Sequence, residues 1–184
     1  MIFRNRVRDH NAQQLALRAA TTGLGYRVAL GVMALILIAA AVSLDHLSKL
    51  IMATSLQPHV LYSWIDRLIG FYLVGNTGVA WSMGASSWWV GFVLQPLAGL
   101  VVLGCLISAL RRSVPSALEC SAFALTLGGA VGNVFDRFMH GAVTDFIYLL
   151  FAPGFPVFNV ADCFCCVGVT LLILHFLSER TAEE

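Results

Sequence analysis

Residues 157–177 read VFNVADCFCCVGVTLLILHFL. A helix crosses the hydrocarbon core of a bilayer in about 20 predominantly apolar residues. This stretch has that length, and it carries one acid, Asp162, near its start. An ionised Asp at the centre of a spanning helix costs about 2.5–3.5 kcal/mol. The cost falls toward the membrane edge but still needs a return, and intramembrane carboxylates are functional as a rule. One segment therefore predicts both a membrane environment and a place to look for chemistry.

Three further runs have spanning length. Val28 to Leu44 is closed by Arg27 and Asp45, and Trp88 to Leu110 by Arg111 and Arg112. Ala117 to Phe135 has Glu119 near its start and Asp136 just past its end. The whole chain agrees with this reading. It is 59% hydrophobic and only 11% charged, with a mean hydropathy of +0.83. So little charge cannot solvate the surface of a soluble monomer, and so much apolar character excludes disorder. The length of 184 residues suits a single integral membrane domain, residues 1–184. A net charge of +1 provides no basic face, so no nucleic-acid partner is expected.

Four spans put both termini on one side. Arg4, Arg6, Arg8, Arg18 and Arg27 precede the first span, and Arg111 and Arg112 join the second to the third. The opposite loops hold only Lys49, Arg67 and Arg137. The positive-inside rule then makes both termini cytoplasmic. A cleaved secretory signal is the rival reading of the first run, with Ala39, Ala40 and Ala41 near its end. The run exceeds the usual signal core of about 7–15 residues, so it is read as a retained span. Residues 1–25 form a basic cytoplasmic arm suited to anionic lipid. The outer loop, 45–87, reads as a β region. Phe71–Val74 is a strand, Gly75–Gly78 a turn and Val79–Ser82 a return strand. Trp64, Trp81, Trp88 and Trp89 fall where an interfacial aromatic belt belongs.

The few acids are informative. Asp45 and Lys49, at i and i+4, read as a local ion pair at the outer end of span one, worth about 0.3–0.5 kcal/mol. Asp136, Asp145 and Asp162 all belong near the same outer surface. Pro153 and Pro156 prevent a helix from running through 151–156, so the chain turns there and can set Asp145 opposite Asp162. Two carboxylates brought to about 3 Å share one proton. The charged one can take a proton from water and the neutral one can donate to a carbonyl oxygen, which is acid–base hydrolysis of an amide without metal or serine. Asn133 and Asn159 stand three residues before Asp136 and Asp162. At that spacing an amide can hold a carboxylate or a substrate backbone, or simply bond one helix to the next. Gly128, Gly129 and Gly132 read as a close helix contact.

Other chemistries lack support. The five histidines are scattered, and there is neither a Gly-x-Ser-x-Gly elbow nor a Gly-rich phosphate loop. Nothing fixes Ser82 against Lys49 as a dyad. The five cysteines lie in apolar stretches without paired spacing and read as small hydrophobes.

Five blocks in order resemble the lipoprotein signal peptidases, the type II signal peptidases of bacteria. They are Asp45-His46-Leu47-Ser48-Lys49, Asn76-Thr77-Gly78-Val79-Ala80-Trp81-Ser82, Gly128 to Arg137 (GGAVGNVFDR), His140-Gly141-Ala142-Val143-Thr144-Asp145-Phe146, and Phe158-Asn159-Val160-Ala161-Asp162. Together they cover about residues 45–168. The resemblance implies an all-α membrane protein of four transmembrane helices with a small periplasmic β-cradle. It implies an aspartic endopeptidase of the inner membrane that cuts prolipoproteins just before the diacylglyceryl-modified cysteine. Asp145 and Asp162 would be the catalytic pair. Asp45, Lys49, Asn76, Asn133, Asp136, Arg137 and Asn159 would support them or bind substrate. No metal or organic cofactor is implied, and the partners are lipidated prolipoproteins and membrane lipid, met by a monomer. Asp136 stays open as a rival catalytic group. Arg137 either holds a backbone carbonyl or pairs with Asp136. The departures are His46 where Gln is frequent, Thr144 where Val is common, and Cys163, Cys165 and Cys166 in place of small or aliphatic residues.

Two other classes compete. A small proton-coupled transporter component would also carry intramembrane carboxylates, but it should place them at several depths, and here they cluster at one end. A non-catalytic scaffold would tolerate Asp145→Asn and Asp162→Asn.

Overall fold

A computed structural model describes residues 2–78 and 88–183. In chain order the elements are α1 (Ile2–Ser55), β1 (Leu61–Ile65), β2 (Ile69–Asn76), α2 (Trp88–Arg111), α3 (Ala117–His140), β3 (Val143–Leu149) and α4 (Val160–Glu183). Four segments are long and apolar enough to cross a bilayer: Gly23–Ser55, Gly91–Arg111, Ala117–His140 and Val160–Thr181. The protein is thus mostly helical, with four candidate spans and one small antiparallel sheet.

Helix α3 is the axis. Half of its apolar window is buried inside the protein, against 22%, 11% and 17% for the other three spans. It packs on α1, α2 and α4 alike. Its glycines explain the closeness. A Cβ on Gly128 would sit 2.7 Å from the Ala41 methyl, and one on Gly129 would collide with the carbonyl oxygen of Ala161. Without side chains there, the backbones of α1 and α4 can approach from two sides. Ser116 caps α3 by accepting from the Glu119 N–H, and Gly141 ends it in the left-handed conformation, φ 78°. The far end of the bundle is closed by an apolar cluster of Leu30, Ala34, Leu106, Ala109, Cys120, Ala124 and Leu127. Outward residues such as Val28, Leu35, Ile36, Leu100 and Ile173 are exposed and apolar, as a lipid-facing surface requires.

The sheet has the order β1-β2-β3. β2 pairs with β1 through Leu61↔Tyr72 and with β3 through Val74↔Asp145 and Asn76↔Val143. After β3 the prolines turn the chain, which returns through a single bridge, Ile147↔Phe158, into α4.

Three details differ from the sequence reading. α1 does not stop at Asp45 but runs on to Ser55, because Asp45 and Lys49 are paired inside the bundle and do not end the helix. They are 1% and 4% exposed, so the surface value of such a pair does not apply. β2 continues through Asn76, two residues into the expected turn, and the chain bends only where the Gly78 N–H donates to Asn76 Oδ1 at 2.9 Å. Neither β1 nor β3 is among the strands expected from the sequence. The expected return strand 79–82, with Trp81, lies outside the described residues.

Candidate active site

Asp145 is carried by β3, the neighbour of β2, and is 2% exposed. Its strand partner is Val74, and Asn76 stands two residues on, opposite Val143. Alternation along the strands puts Asn76 and Asp145 on one face as diagonal neighbours. The Asn76 Nδ2 donates to Asp145 Oδ2 at 2.9 Å. The other oxygen, Oδ1, accepts from Asn159 Nδ2 at 2.7 Å.

Asp162 lies in the first turn of α4. Its backbone N–H donates to Asn159 Oδ1 at 3.0 Å, and its Oδ2 accepts from the Asn159 N–H at 3.1 Å. This is a reciprocal capping box in an Asn-x-x-Asp form. The same two residues therefore start the helix and hold the carboxylate. The remaining oxygen, Oδ1, accepts from Asn133 Nδ2 at 2.8 Å.

The two halves meet at Asn133 and Asn159, which are 4% and 0% exposed. Asn159 Nδ2 donates both to Asp145 and, at 3.0 Å, to Asn133 Oδ1. Asn133 Oδ1 also accepts from Lys49 Nζ at 2.9 Å. With two donors on its oxygen, the Asn133 amide must turn its N–H toward Asp162. Lys49 in turn lies 2.7 Å from Asp45 Oδ2 and 3.5 Å from Asp136 Oδ2. Asp45 Oδ1 accepts from the Ala161 N–H at 2.9 Å, which satisfies one of the free donors in the first turn of α4. Asp136 is fully engaged. It meets His140 Nδ1 at 2.7 Å, accepts from the Thr144 N–H, and forms an ion pair with Lys49 at 3.5 Å.

A cavity of about 790 Å³ opens over this network. Asp145, Asp162, Asn76, Asn133 and Arg137 line it, and Asp136 does not. Leu94 and Ala98 of α2, Phe155 and Val157 of the turn, and Val167 of α4 make much of the wall apolar. Arg137 donates to Gln95 Oε1 and to the Gly78 carbonyl oxygen. Its bonds thus go to the backbone carbonyl of this chain's own Gly78 and to Gln95, and to neither Asp136 oxygen. Gln95 was not foreseen, because a lone amide inside an apolar run has no local signal. His46 packs edge-on against Phe135, with ring centroids 5.5 Å apart.

Burial pushes the Asp145 carboxyl from an ordinary 3.8 up to about 7. The Asn76 and Asn159 amides and Lys49 pull it back, while the Asp162 carboxylate raises it further. Asp145 thus keeps a proton to near neutrality beside a second carboxyl group. Among the described residues no group of three or more His, Cys, Asp or Glu side chains is placed to share a metal ion.

The family model for signal peptidase (SPase) II matches residues 37–178. The chain is 38% identical over 144 residues to the lipoprotein signal peptidase of Azoarcus sp., covering 76% of this chain and 79% of that protein. It is 35% identical over 151 residues to that of Neisseria meningitidis serogroup C, covering 81% and 91%. Among solved structures it resembles a bacterial membrane enzyme determined by the in meso method at 2.3 Å, with a TM-score of 0.72, 25% identity, and 83% and 92% of the two chains covered.

Proposed function

Because the chain belongs to the signal peptidase II family, we propose that it processes prolipoproteins as an intramembrane aspartic endopeptidase, cutting before the diacylglyceryl-modified cysteine. The observation that carries this reading is the pair of carboxylates in one cavity, each held by amide donors, with Asp145 still protonated near pH 7. Two carboxyl groups whose environments separate their protonation states can divide acid and base roles.

In the resting pair Asp145 carries the shared proton and Asp162 is the base. Asp162 removes a proton from water as the water oxygen attacks the scissile carbonyl carbon. Asp145 gives its proton to the carbonyl oxygen, and a neutral tetrahedral diol results. Asp162 then passes its proton to the amide nitrogen, the C–N bond breaks, and Asp145 recovers a proton from the collapsing diol. The products are a signal peptide with a new carboxylic acid and a lipoprotein whose N-terminal amine belongs to the lipidated cysteine. Asn76, Asn133 and Asn159 hold both carboxyl planes during these transfers. Lys49, set between Asp45 and Asp136, fixes Asn133. Arg137 positions the chain after β2.

The apolar part of the cavity wall suits acyl chains that remain in lipid while the peptide bond reaches the aspartates. The distribution of Arg4, Arg6, Arg8, Arg18, Arg27, Arg111 and Arg112 supports cytoplasmic termini in an inner membrane and a periplasmic site. A single chain supplies every group used here, so a monomer suffices.

The test is release of the signal peptide from a diacylglyceryl-modified prolipoprotein by the purified protein in detergent. Cleavage should proceed in chelator, fail on unlipidated precursor, and be lost in Asp145→Asn and in Asp162→Asn. General acid–base groups are worth about 100- to 10,000-fold. Either variant cleaving at the unmodified rate overturns the mechanism.

A further inference from the structure

Three cysteines of α4, Cys163, Cys165 and Cys166, line the same cavity as the two aspartates. Nothing in the proposed reaction uses a thiol. The three differ in availability. Cys165 is committed, since its Sγ contacts the Thr126 carbonyl at 3.6 Å and a Cβ on Gly129 would lie 2.7 Å from it. Cys163 is half-buried and Cys166 is exposed, and neither is in a disulfide. At i and i+3 they occupy one face of α4, one turn apart. Cys163 follows Asp162 in the chain, and both line the cavity.

We propose that Cys163 and Cys166 form a covalent modification site in the wall of the catalytic cavity, taking small, uncharged soft electrophiles of the α,β-unsaturated carbonyl class. Sulfur is a soft nucleophile, and attack proceeds through its thiolate. The sulfur bonds to the β carbon of the electrophile, and the alkene's π pair moves to the α carbon. That carbon then takes a proton, replacing the one lost from the thiol. The addition balances with no oxidant, reductant or third reactant. The restriction to uncharged reagents follows from the cavity, whose wall is largely apolar. An anionic thiol reagent meets a desolvation cost there. An adduct on either sulfur projects into the space that the proposed substrate needs, so this peptidase becomes sensitive to thiol reagents although its chemistry involves no cysteine. The effect on cleavage rests on the proposed function, whereas the site of reaction does not.

The experiment treats the purified protein in detergent with N-ethylmaleimide, and separately with a sulfonate-bearing methanethiosulfonate. Peptide mass spectrometry locates the adducts, and prolipoprotein cleavage is followed in parallel. Cys105, exposed on the span α2 and outside the cavity lining, is the lipid-facing control, and the fully buried Cys120 reports unfolding. The maleimide is expected on Cys105, Cys163 and Cys166 but not on Cys120, and the sulfonate is expected to miss Cys163 and Cys166. Adding lipidated prolipoprotein to the Asp145→Asn protein should protect Cys163 and Cys166 and leave Cys105 labelled. Cleavage should fall about 100-fold or more, the scale that displacing a substrate by an ångström can cost. The treated-to-untreated ratio of rates should return toward one in Cys163→Ala/Cys166→Ala and stay low in Cys105→Ala. Unlabelled Cys163 and Cys166 in a protein whose Cys105 is labelled would overturn the site. Equal labelling by the sulfonate would overturn the desolvation argument. Labelling and protection without any peptidase activity in untreated protein would keep the modification site and refute the proposed function instead.

Discussion

Replacing Lys49 with methionine is the sharpest test of the network beneath the aspartates. Methionine keeps most of the side chain's length and loses the charge. Lys49 is 4% exposed and lies 2.7 Å from Asp45, which is 1% exposed, and 3.5 Å from Asp136, which is 3% exposed. The substitution leaves two carboxylates buried without their cation. Removing one partner of a buried ion pair costs about 3–5 kcal/mol, whereas an exposed pair is worth about 0–1 kcal/mol. The expected loss is therefore about 3–5 kcal/mol, read as a shift in reversible unfolding in mixed micelles. Asp45→Asn in the same chain removes one orphaned charge, so the double variant should be more stable than Lys49→Met alone. Activity should fall further than the folded fraction explains. Without Nζ the Asn133 oxygen loses one of its two donors, and its N–H is no longer forced toward Asp162. The effect should therefore fall on kcat rather than KM. A stability loss under about 1 kcal/mol with an unchanged kcat would refute both the buried character of the pair and its role in orienting Asn133.

Three further outcomes follow from the geometry. Asp145 binds its proton more tightly folded, at about 7, than at the ordinary 3.8, so between those values the folded state holds more protons than the unfolded one. Stability should then fall as pH rises from about 4 to about 7, and Asp145→Asn should flatten that slope. Cleavage should likewise decline as pH rises through about 7, because the acid of the pair is lost, and a rate that climbs steadily past pH 8 would contradict the assignment. Gly129→Ala sets a methyl against the Ala161 carbonyl at the start of α4. Overpacking of this kind costs about 1–3 kcal/mol. A melting temperature equal to the unsubstituted protein's would mean that the α3–α4 contact is looser than described.

The four spans could be read from hydropathy because each is a long run broken by charge at its ends. The same rule misplaced the end of α1. Hydropathy drops at Asp45 whether its carboxylate faces water or, as here, the Ala161 N–H and Lys49. The β3 strand was invisible for a different reason. Its partner β2 lies some seventy residues earlier in the chain, and the pairing of Asp145 with Val74 has no local signature. A short apolar run after a helix, Phe146 to Phe151, fits a strand or a turn of helix equally well. By spacing alone, Asn159 and Asp162 share a helix face. The i, i+3 spacing in fact marks a helix start, and the capping box was there to be read in Asn-x-x-Asp. Gln95 became visible only with Arg137 beside it.

Asp145 stands on a strand, and Asp162 stands on a helix. Between them the chain makes a proline-bearing turn, and one bridge, Ile147↔Phe158, ties the turn back to the sheet. The two carboxyl groups are thus the jaws of a caliper, one fixed to the sheet and one to the bundle. Its gap is set by how the sheet leans on the helices rather than by either element alone. A thinner or thicker bilayer tilts spanning helices, whereas β3 belongs to none of the four candidate spans. The expected outcome is that membrane thickness changes that gap, and turnover measured across bilayers of graded acyl length is the gauge that reads it; a flat profile would mean that sheet and bundle move as one.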